Sequence, residues 1–221
     1  RSSWDDDPMT YYRAIADEGD DGIPWGHYPG ALLLAQACAG WELARLIAVA
    51  DEAFDKLTPR EDVVALISGL TLMNVDVRIL SAGVGWLVRR YVHVHLNPRL
   101  LQEGGKPIDL RQVIGVTTVL VDESGNPWTD RQLRGDHGYL TGNGNQTLQI
   151  TEFVGDGIPF AGGKVGALAE WGMDELLLAA GDGGGDRYLL NRARHAVVVG
   201  KGDAAKALAE EITAPHVWRL A

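Results

Sequence analysis

Cysteine is almost absent from this sequence of 221 residues, in which Cys38 stands alone. A single cysteine cannot form a disulfide within the chain, which excludes a small secreted scaffold held together by disulfides. Cys38 lies in the apolar run ALLLAQACAGW. We expect a small buried side chain there, because an activated thiol is usually partly exposed near positive charge. The fold must then depend on an apolar core, for which 46% hydrophobic residues are ample.

Positive charge is also scarce. Twenty Lys and Arg residues stand against thirty Asp and Glu residues, which gives a formal net charge of −10. Half of that net charge lies within residues 1–30, where seven carboxylates face two arginines. The sequence lacks the basic footprint with which proteins attract phosphate backbones, so we expect no direct binding of nucleic acid.

Long apolar runs are missing as well. No stretch of about 18 apolar residues is free of charge and glycine, and no apolar signal-like segment stands at the N-terminus. We expect no membrane partner and a soluble protein that is intracellular or associated with a particle. Because the chain begins at Arg1, the expectation is either a single domain over 1–221 or a portion excised from a longer chain.

The sequence motifs of nucleophilic catalysis are absent. Serine occurs at positions 2, 3, 68, 81 and 124, and none of these serines stands in a G-x-S-x-G setting. Carboxylates that are adjacent in sequence, such as Asp51-Glu52 and Asp122-Glu123, do not face each other on a helix or a strand. We therefore assign no catalytic residue and no cofactor, and the sequence leans against an enzyme without deciding the question.

The clearest periodic pattern is the alternation of apolar and polar residues from Met73 to Leu96. Read with the period of two of a β-strand, it places mainly valine, tryptophan and leucine side chains on one face. The other face carries Arg89, Tyr91, His93 and His95. The short stretch Ser81-Ala82-Gly83 contains the glycine that a tight turn favours. The pattern therefore predicts a long β-hairpin over about 73–96.

The remaining segments predict an α+β fold. The run VIGVTTVLV at 113–121 is apolar on both faces, as expected of a buried strand. Helical spacing predicts N-terminal helices over about 31–57 and from residue 59 onward. The C-terminal residues predict a βαβ-like unit with a strand at 194–199, a helix at 203–212 and a strand at 216–220. We expect a mixed sheet that contains the hairpin and the buried strand and is packed by the N-terminal helices.

The region before the βαβ-like unit combines helical spacing with many glycines. The positions of Leu168, Trp171, Leu176 and Leu177 predict a helix, with Gly172 as the point at which it could break or bend. The stretch GDGGGD at 181–186 is typical of a short flexible linker and marks a weak candidate for a domain boundary.

His93-Val94-His95 is the leading candidate for a metal site. Residues two apart on a strand point the same way, so the two imidazoles could share one metal ion. Further ligands would have to come from Asp136-His137 or from His27, whose proximity no spacing fixes. The alternative is that His93 and His95 lie on the polar face of a long strand, and on that reading we predict no catalytic metal.

A second candidate site is the glycine turn Gly200-Lys201-Gly202. It lies between a predicted strand and a predicted helix, where backbone N–H groups and the helix dipole can hold an anion. The turn lacks both the G-x-G-x-x-G pattern and the ending of a P-loop, and Asp203 places a carboxylate where a phosphate would lie. The alternative is a plain turn with Asp203 as the N-cap.

Two features favour contacts with other protein chains. Arg89 and Tyr91 lie on the polar face of the predicted hairpin, and Phe153 and Phe160 flank glycine-rich loops. Interfaces are enriched in Tyr, Phe and Arg, so these residues predict an interface with other subunits in a homo-oligomer or larger assembly. The alternative is that Phe153 and Phe160 close the edge of one core.

Three functions follow, in order of preference. The first is a structural or assembly component, such as a shell or capsid-type subunit or a fragment of one, that acts through protein–protein contacts. The second is a metal-dependent enzyme built on His93 and His95. The third is a small-molecule-binding α/β domain that uses the C-terminal glycine turn.

Overall fold

The computed structural model describes residues 29–135, 138–141, 147–155, 158–173 and 175–221. Within these ranges, helices and strands form an α+β fold, as the sequence predicts. None of the helices in this part of the chain combines the length and the apolar character that a bilayer span requires.

Helices open the described part of the chain. They are α1 at Pro29–Ala37, α2 at Leu43–Phe54 and α3 at Glu61–Leu72. The continuous helix expected over 31–57 is interrupted at Gly40, whose φ of 79° is a left-handed conformation that glycine adopts readily. Cys38 lies in the connection and is half-buried, and burial raises the pKa of its thiol.

The predicted hairpin over 73–96 does not form. The chain instead makes strand β1 at Ile79–Val84, helix α4 at Gly85–Tyr91, a π-helical turn at Val92–Leu96 and helix α5 at Asn97–Gln102. The buried side chains in the helical stretch are those of Trp86, Arg89, Val92, Leu96 and Leu100. These residues are three or four positions apart, which is the spacing of one face of a helix. The same stretch also contains the alternating valines that led to the strand prediction. The helix forms because these side chains pack together into the core, where α4 contacts α2 and β2.

Strands β1 to β5 form two small sheets. Strand β2, at Val113–Val116, pairs with β1 in parallel. Strand β3 at Thr118–Val121 lies between β4 at Pro127–Thr129 and β5 at Gln149–Val154, and both neighbours are antiparallel to it. The buried strand predicted at 113–121 is therefore present, but it is divided at Thr117 between the two sheets. Short helices complete this part: a 3₁₀ turn at Leu110–Gln112, α6 at Asp130–Leu133 and α7 at Gly138–Thr141.

The C-terminal residues form a parallel sheet of order β6-β7-β8. Its strands are β6 at Leu176–Gly181, β7 at Ala193–Val199 and β8 at His216–Leu220. Its helices are α8 at Gly162–Glu170, a 3₁₀ turn at Gly184–Asp186, α9 at Arg187–Leu190 and α10 at Gly202–Glu211. The predicted βαβ-like unit is confirmed as β7-α10-β8. The helix predicted through Leu176 is wrong, because α8 ends at Glu170 and Gly172, with a φ of 63°, turns the chain into β6.

A buried ion pair joins helices α4 and α6 in the part of the fold that precedes α8. Arg89 in α4 and Asp130 in α6 are 2% and 0% exposed, and their side chains form a direct ion pair. Arg89 also donates from Nε to Tyr139 Oη at 2.8 Å and from Nη1 to the Val113 carbonyl at 3.1 Å. The backbone N–H of Thr118 donates to Asp130 Oδ1 at 2.8 Å. Burial raises the pKa of the Asp130 carboxyl, and the charge of Arg89 opposes that shift.

We predict that Asp130→Asn lowers the free energy of unfolding by about 3–5 kcal/mol, because it leaves the Arg89 guanidinium buried without its counter-ion. Urea denaturation measures this change. The matched control is Glu61→Gln, which removes a partner of Arg99 from an exposed ion pair and should cost no more than about 1 kcal/mol. Equal losses in the two variants would contradict the role assigned to the buried pair.

Candidate functional site

A group of charged side chains surrounds the carboxyl end of β6. The carboxylate of Asp186 holds the turn that follows this strand, because its Oδ2 accepts hydrogen bonds from the backbone N–H groups of Asp182 at 3.0 Å and Gly183 at 3.2 Å. The other oxygen, Oδ1, accepts a hydrogen bond from the Lys164 ammonium in α8. One carboxylate thus fixes both a backbone turn and a cation at the end of a parallel strand.

The glycines of this region allow the close packing. A Cβ at Gly181 would overlap the Asp186 side chain, and a Cβ at Gly185 would lie 3.0 Å from the Phe160 ring. A Cβ at Gly163, next to Lys164, would overlap the Ile158 carbonyl oxygen. By contrast, nothing lies within 4 Å of a Cβ built at Gly183 or Gly184, so the middle of the turn is open.

Lys164 is held in a defined position. Its side chain and that of Asp186 are each 11% exposed, so the ion pair is largely removed from water but still reachable from the surface. Ala161, the residue before α8, has a φ of 47°, which is uncommon for a residue other than glycine. Backbone strain of this kind is often found at functional sites, where the surrounding structure maintains it. Lys164 lies in the first turn of the helix that starts there.

Two further charges lie beside this ion pair. Asp182 is exposed at the end of β6. Asp182 lies near Arg60, the residue that precedes α3. The pKa of the Arg60 guanidinium is raised mainly by its hydrogen bond with Asp62, and the negative charge of Asp182 raises it further. The Arg60 guanidinium is already paired with the Asp62 carboxylate, so the site itself combines the carboxylates of Asp182 and Asp186 with the Lys164 ammonium.

This set of groups suits an anionic ligand that arrives with a divalent cation. Lys is a common phosphate-binding residue. Mg²⁺ is usually bound through one or two carboxylates, with water and substrate phosphate in its other positions. Asp182 can supply such a carboxylate. No group of three or more His, Cys, Asp or Glu residues within the described ranges could hold a metal ion on its own.

The histidines singled out from the sequence do not form a shared site. His93 and His95 lie in the π-helical turn, where residues two apart do not face each other. His95 stacks on Tyr91 with ring centroids 5.5 Å apart, whereas His93 lines a separate surface cavity of about 470 Å³ with Leu101 and Asp109. The two-histidine metal site was inferred from a strand, and the helix removes its geometric basis. His27, Asp136 and His137 lie outside the described residues.

The predicted glycine turn is present at Gly200-Lys201-Gly202, between β7 and α10. Gly200 has a φ of 136° and donates its N–H to the Leu220 carbonyl at 2.8 Å, while Lys201 and Gly202 are exposed. Asp203 lies in the first turn of α10, as expected, but the N-cap is Lys201. Binding of a ligand at this turn stays a prediction.

The residues predicted for an interface lie in different environments. Arg89 is inside the core, where Asp130 neutralises it, so it is not available for a contact with another chain. Tyr91 packs against Phe54 and His95, and burial raises the pKa of its hydroxyl. Phe160 is partly buried against the main core, and Phe153 is 60% exposed.

Sequence reasoning missed Lys164, Asp182 and Asp186. The signal was present in LLLAAGDGGGD, in which an apolar run leads directly into a turn rich in glycine and aspartate. That combination is typical of a parallel strand followed by a ligand-binding loop. The predicted helix through Leu177 and the predicted linker at 181–186 do not reveal this site.

No protein-family model and no curated protein matches this sequence.

We predict that Gly181→Ala lowers the free energy of unfolding by about 1–3 kcal/mol, because the new methyl group must displace the Asp186 side chain. Gly183→Ala is the matched control, since its backbone is extended, with a φ of −140°, and the added Cβ meets open space. That control should change stability by no more than about 0.5 kcal/mol. Thermal and urea unfolding measure both variants, and similar behaviour would contradict the close packing of the turn.

Proposed function

We propose that this protein binds a phosphorylated small molecule, together with Mg²⁺, at the carboxyl end of β6 and catalyses transfer of the phosphoryl group. The observation that carries the proposal is the Lys164 ammonium held by Asp186 beside the exposed Asp182. The proposal belongs to the class of small-molecule-binding α/β domains considered from the sequence. It moves the site from Gly200-Lys201-Gly202 to the turn at 181–186.

The location supports this proposal. In open parallel sheets, ligands bind in the crevice beyond the carboxyl ends of the strands. The turn at 181–186 lies at that end of β6, and its backbone is fixed by the Asp186 carboxylate. A fixed turn and a fixed ammonium group need no rearrangement when an anion arrives, which favours binding and catalysis.

The charges support a reaction at phosphorus. In phosphoryl transfer, negative charge is spread over the oxygens of the transferred group, and catalysis depends on cations that neutralise it. Lys164 can neutralise one side of that group, and a magnesium ion on Asp182 can neutralise another and polarise a phosphate oxygen. With water as the simplest acceptor, the bond between phosphorus and the ester oxygen breaks, a new bond to the water oxygen forms, and an alcohol and inorganic phosphate are released.

We predict that inorganic phosphate binds the protein in the presence of Mg²⁺ and that Lys164→Met weakens this binding by about tenfold or more, since a charge-assisted hydrogen bond contributes about 1.5–3 kcal/mol. Asp182→Asn should remove the dependence on Mg²⁺. Isothermal titration calorimetry measures both effects. Lys201→Met, at the other glycine turn, is the control and should bind phosphate normally, so an equal loss in that variant would overturn the proposed site.

We retain assembly with other protein subunits as a second candidate function. The observation that favours it is exposed aromatic surface: Phe153 on β5 and Trp218 on β8 are each 60% exposed, and such residues are enriched at interfaces. Arg89, which the sequence predicts for the interface, does not support assembly because its side chain is buried.

If assembly is the function, analytical ultracentrifugation of the purified protein should show a homo-oligomer or a larger particle. Phe153→Ser should then shift the distribution toward the monomer, because it removes an apolar contact from the interface. Glu152→Ser on the same strand is the matched control. A compact monomer at all protein and salt concentrations would rule out homo-oligomeric assembly.

A further inference from the structure

Two histidines lie side by side in the C-terminal sheet. His195 on β7 and His216 on β8 are directly opposite each other in the parallel ladder. Their ring centroids are 4.8 Å apart and the ring planes are inclined by only 16°, so the two imidazoles are stacked. The pair therefore projects from one face of the sheet.

The surroundings leave the ring nitrogens of both histidines open to a ligand. His216 is exposed and His195 is half-buried, so solvent reaches the pair. Neither imidazole forms a hydrogen bond or an ion pair with any other group in the described part of the chain. On its other side, His195 is opposite Leu178 of β6, which carries no charge.

The spacing of the rings suits one shared metal ion. Two nitrogens bound to a tetrahedral zinc ion at about 2.0–2.1 Å lie about 3.3 Å apart. Stacked imidazoles with centroids 4.8 Å apart can each bring one nitrogen to that distance by a rotation about the Cβ–Cγ bond, a torsion with broad energy wells in histidine.

We propose that His195 and His216 together bind one divalent transition-metal ion, of the zinc, nickel and copper class, between β7 and β8. Imidazole nitrogen is a ligand that these ions share, whereas Mg²⁺ prefers oxygen. Water completes the coordination, because no third His, Cys, Asp or Glu among the described residues joins the pair. The site is distinct from the turn at 181–186 and does not depend on the proposed phosphoryl transfer.

The bound ion fastens the C-terminal strand. Most residues of β8 are exposed, whereas most residues of β7 are buried. A strand with few buried side chains opens more readily than its neighbours. A metal bridge from His216 to His195 links β8 to the buried strand through side chains, in addition to the backbone ladder.

The same geometry was predicted from the sequence for His93 and His95, which would share a face if they lay on one strand. The π-helical turn removes that geometry at 92–96, whereas the register of β7 with β8 creates it for His195 and His216. No spacing in the sequence reveals this second pair, because strand pairing brings together residues that are distant along the chain.

Isothermal titration calorimetry with Zn²⁺ and with Ni²⁺ tests the site, in excess Mg²⁺ to occupy oxygen ligands. We expect one ion per chain. His195→Gln and His216→Gln should each weaken binding by about tenfold or more, because the second imidazole binds intramolecularly at high effective concentration. His93→Gln is the matched control and should bind the ion normally, since His93 lies in the π-helical turn and not in this sheet.

Hydrogen exchange measures the fastening of β8. Zn²⁺ should slow exchange at 216–220 by about tenfold in the unmodified protein and leave it unchanged in His216→Gln. Circular dichroism checks that both variants remain folded.

Several results would overturn the proposal. Absence of binding would remove the site, and unchanged binding in both variants would place the ion elsewhere. A loss in only one variant would mean that a single histidine holds the ion. An equal loss in His93→Gln would show that the effect is not specific to this pair, and binding without slower exchange at 216–220 would contradict the bridge between the strands.

Discussion

The carboxylate of Asp186 is the interaction on which the C-terminal part of this protein depends. It accepts hydrogen bonds from two backbone N–H groups of the turn after β6 and one from the ammonium of Lys164. A buried carboxylate is costly unless such partners compensate it, so the turn, the start of α8 and the end of β6 must form together. The resulting rigid arrangement of charge lies at the edge where parallel sheets bind ligands.

A second buried carboxylate has a related role in the rest of the fold. Asp130 joins α6 to Arg89 in α4 and to the backbone of β3, and it has no exposed surface. The difference between the two carboxylates explains why one is structural and the other belongs to a candidate site. Asp130 is closed off from solvent, whereas Asp186 stands next to the exposed Asp182 and an open glycine turn.

The sequence allowed prediction of the α+β class, the strand content of 113–121 and the βαβ-like unit, because 113–121 is rich in β-branched residues and the C-terminal residues separate strand-like from helical spacing. The prediction of a hairpin over 73–96 was wrong because the valines alternate as in a strand, while the residues that are buried are spaced as in a helix. The site was missed for a related reason. A short apolar run such as LLLAAG does not distinguish strand from helix, and the pairing of Lys164 with Asp186 joins positions 22 residues apart through tertiary structure.

The central claim is that Lys164 and Asp182 bind a phosphate group and a divalent cation at one place. An X-ray structure of crystals soaked with tungstate, as a heavy phosphate analogue, and Mn²⁺ tests this most directly. The account predicts an anomalous tungsten peak within hydrogen-bonding distance of Lys164 Nζ and a manganese peak on the Asp182 carboxylate. Peaks at Gly200-Lys201-Gly202 instead, or no peak at the end of β6, would contradict it.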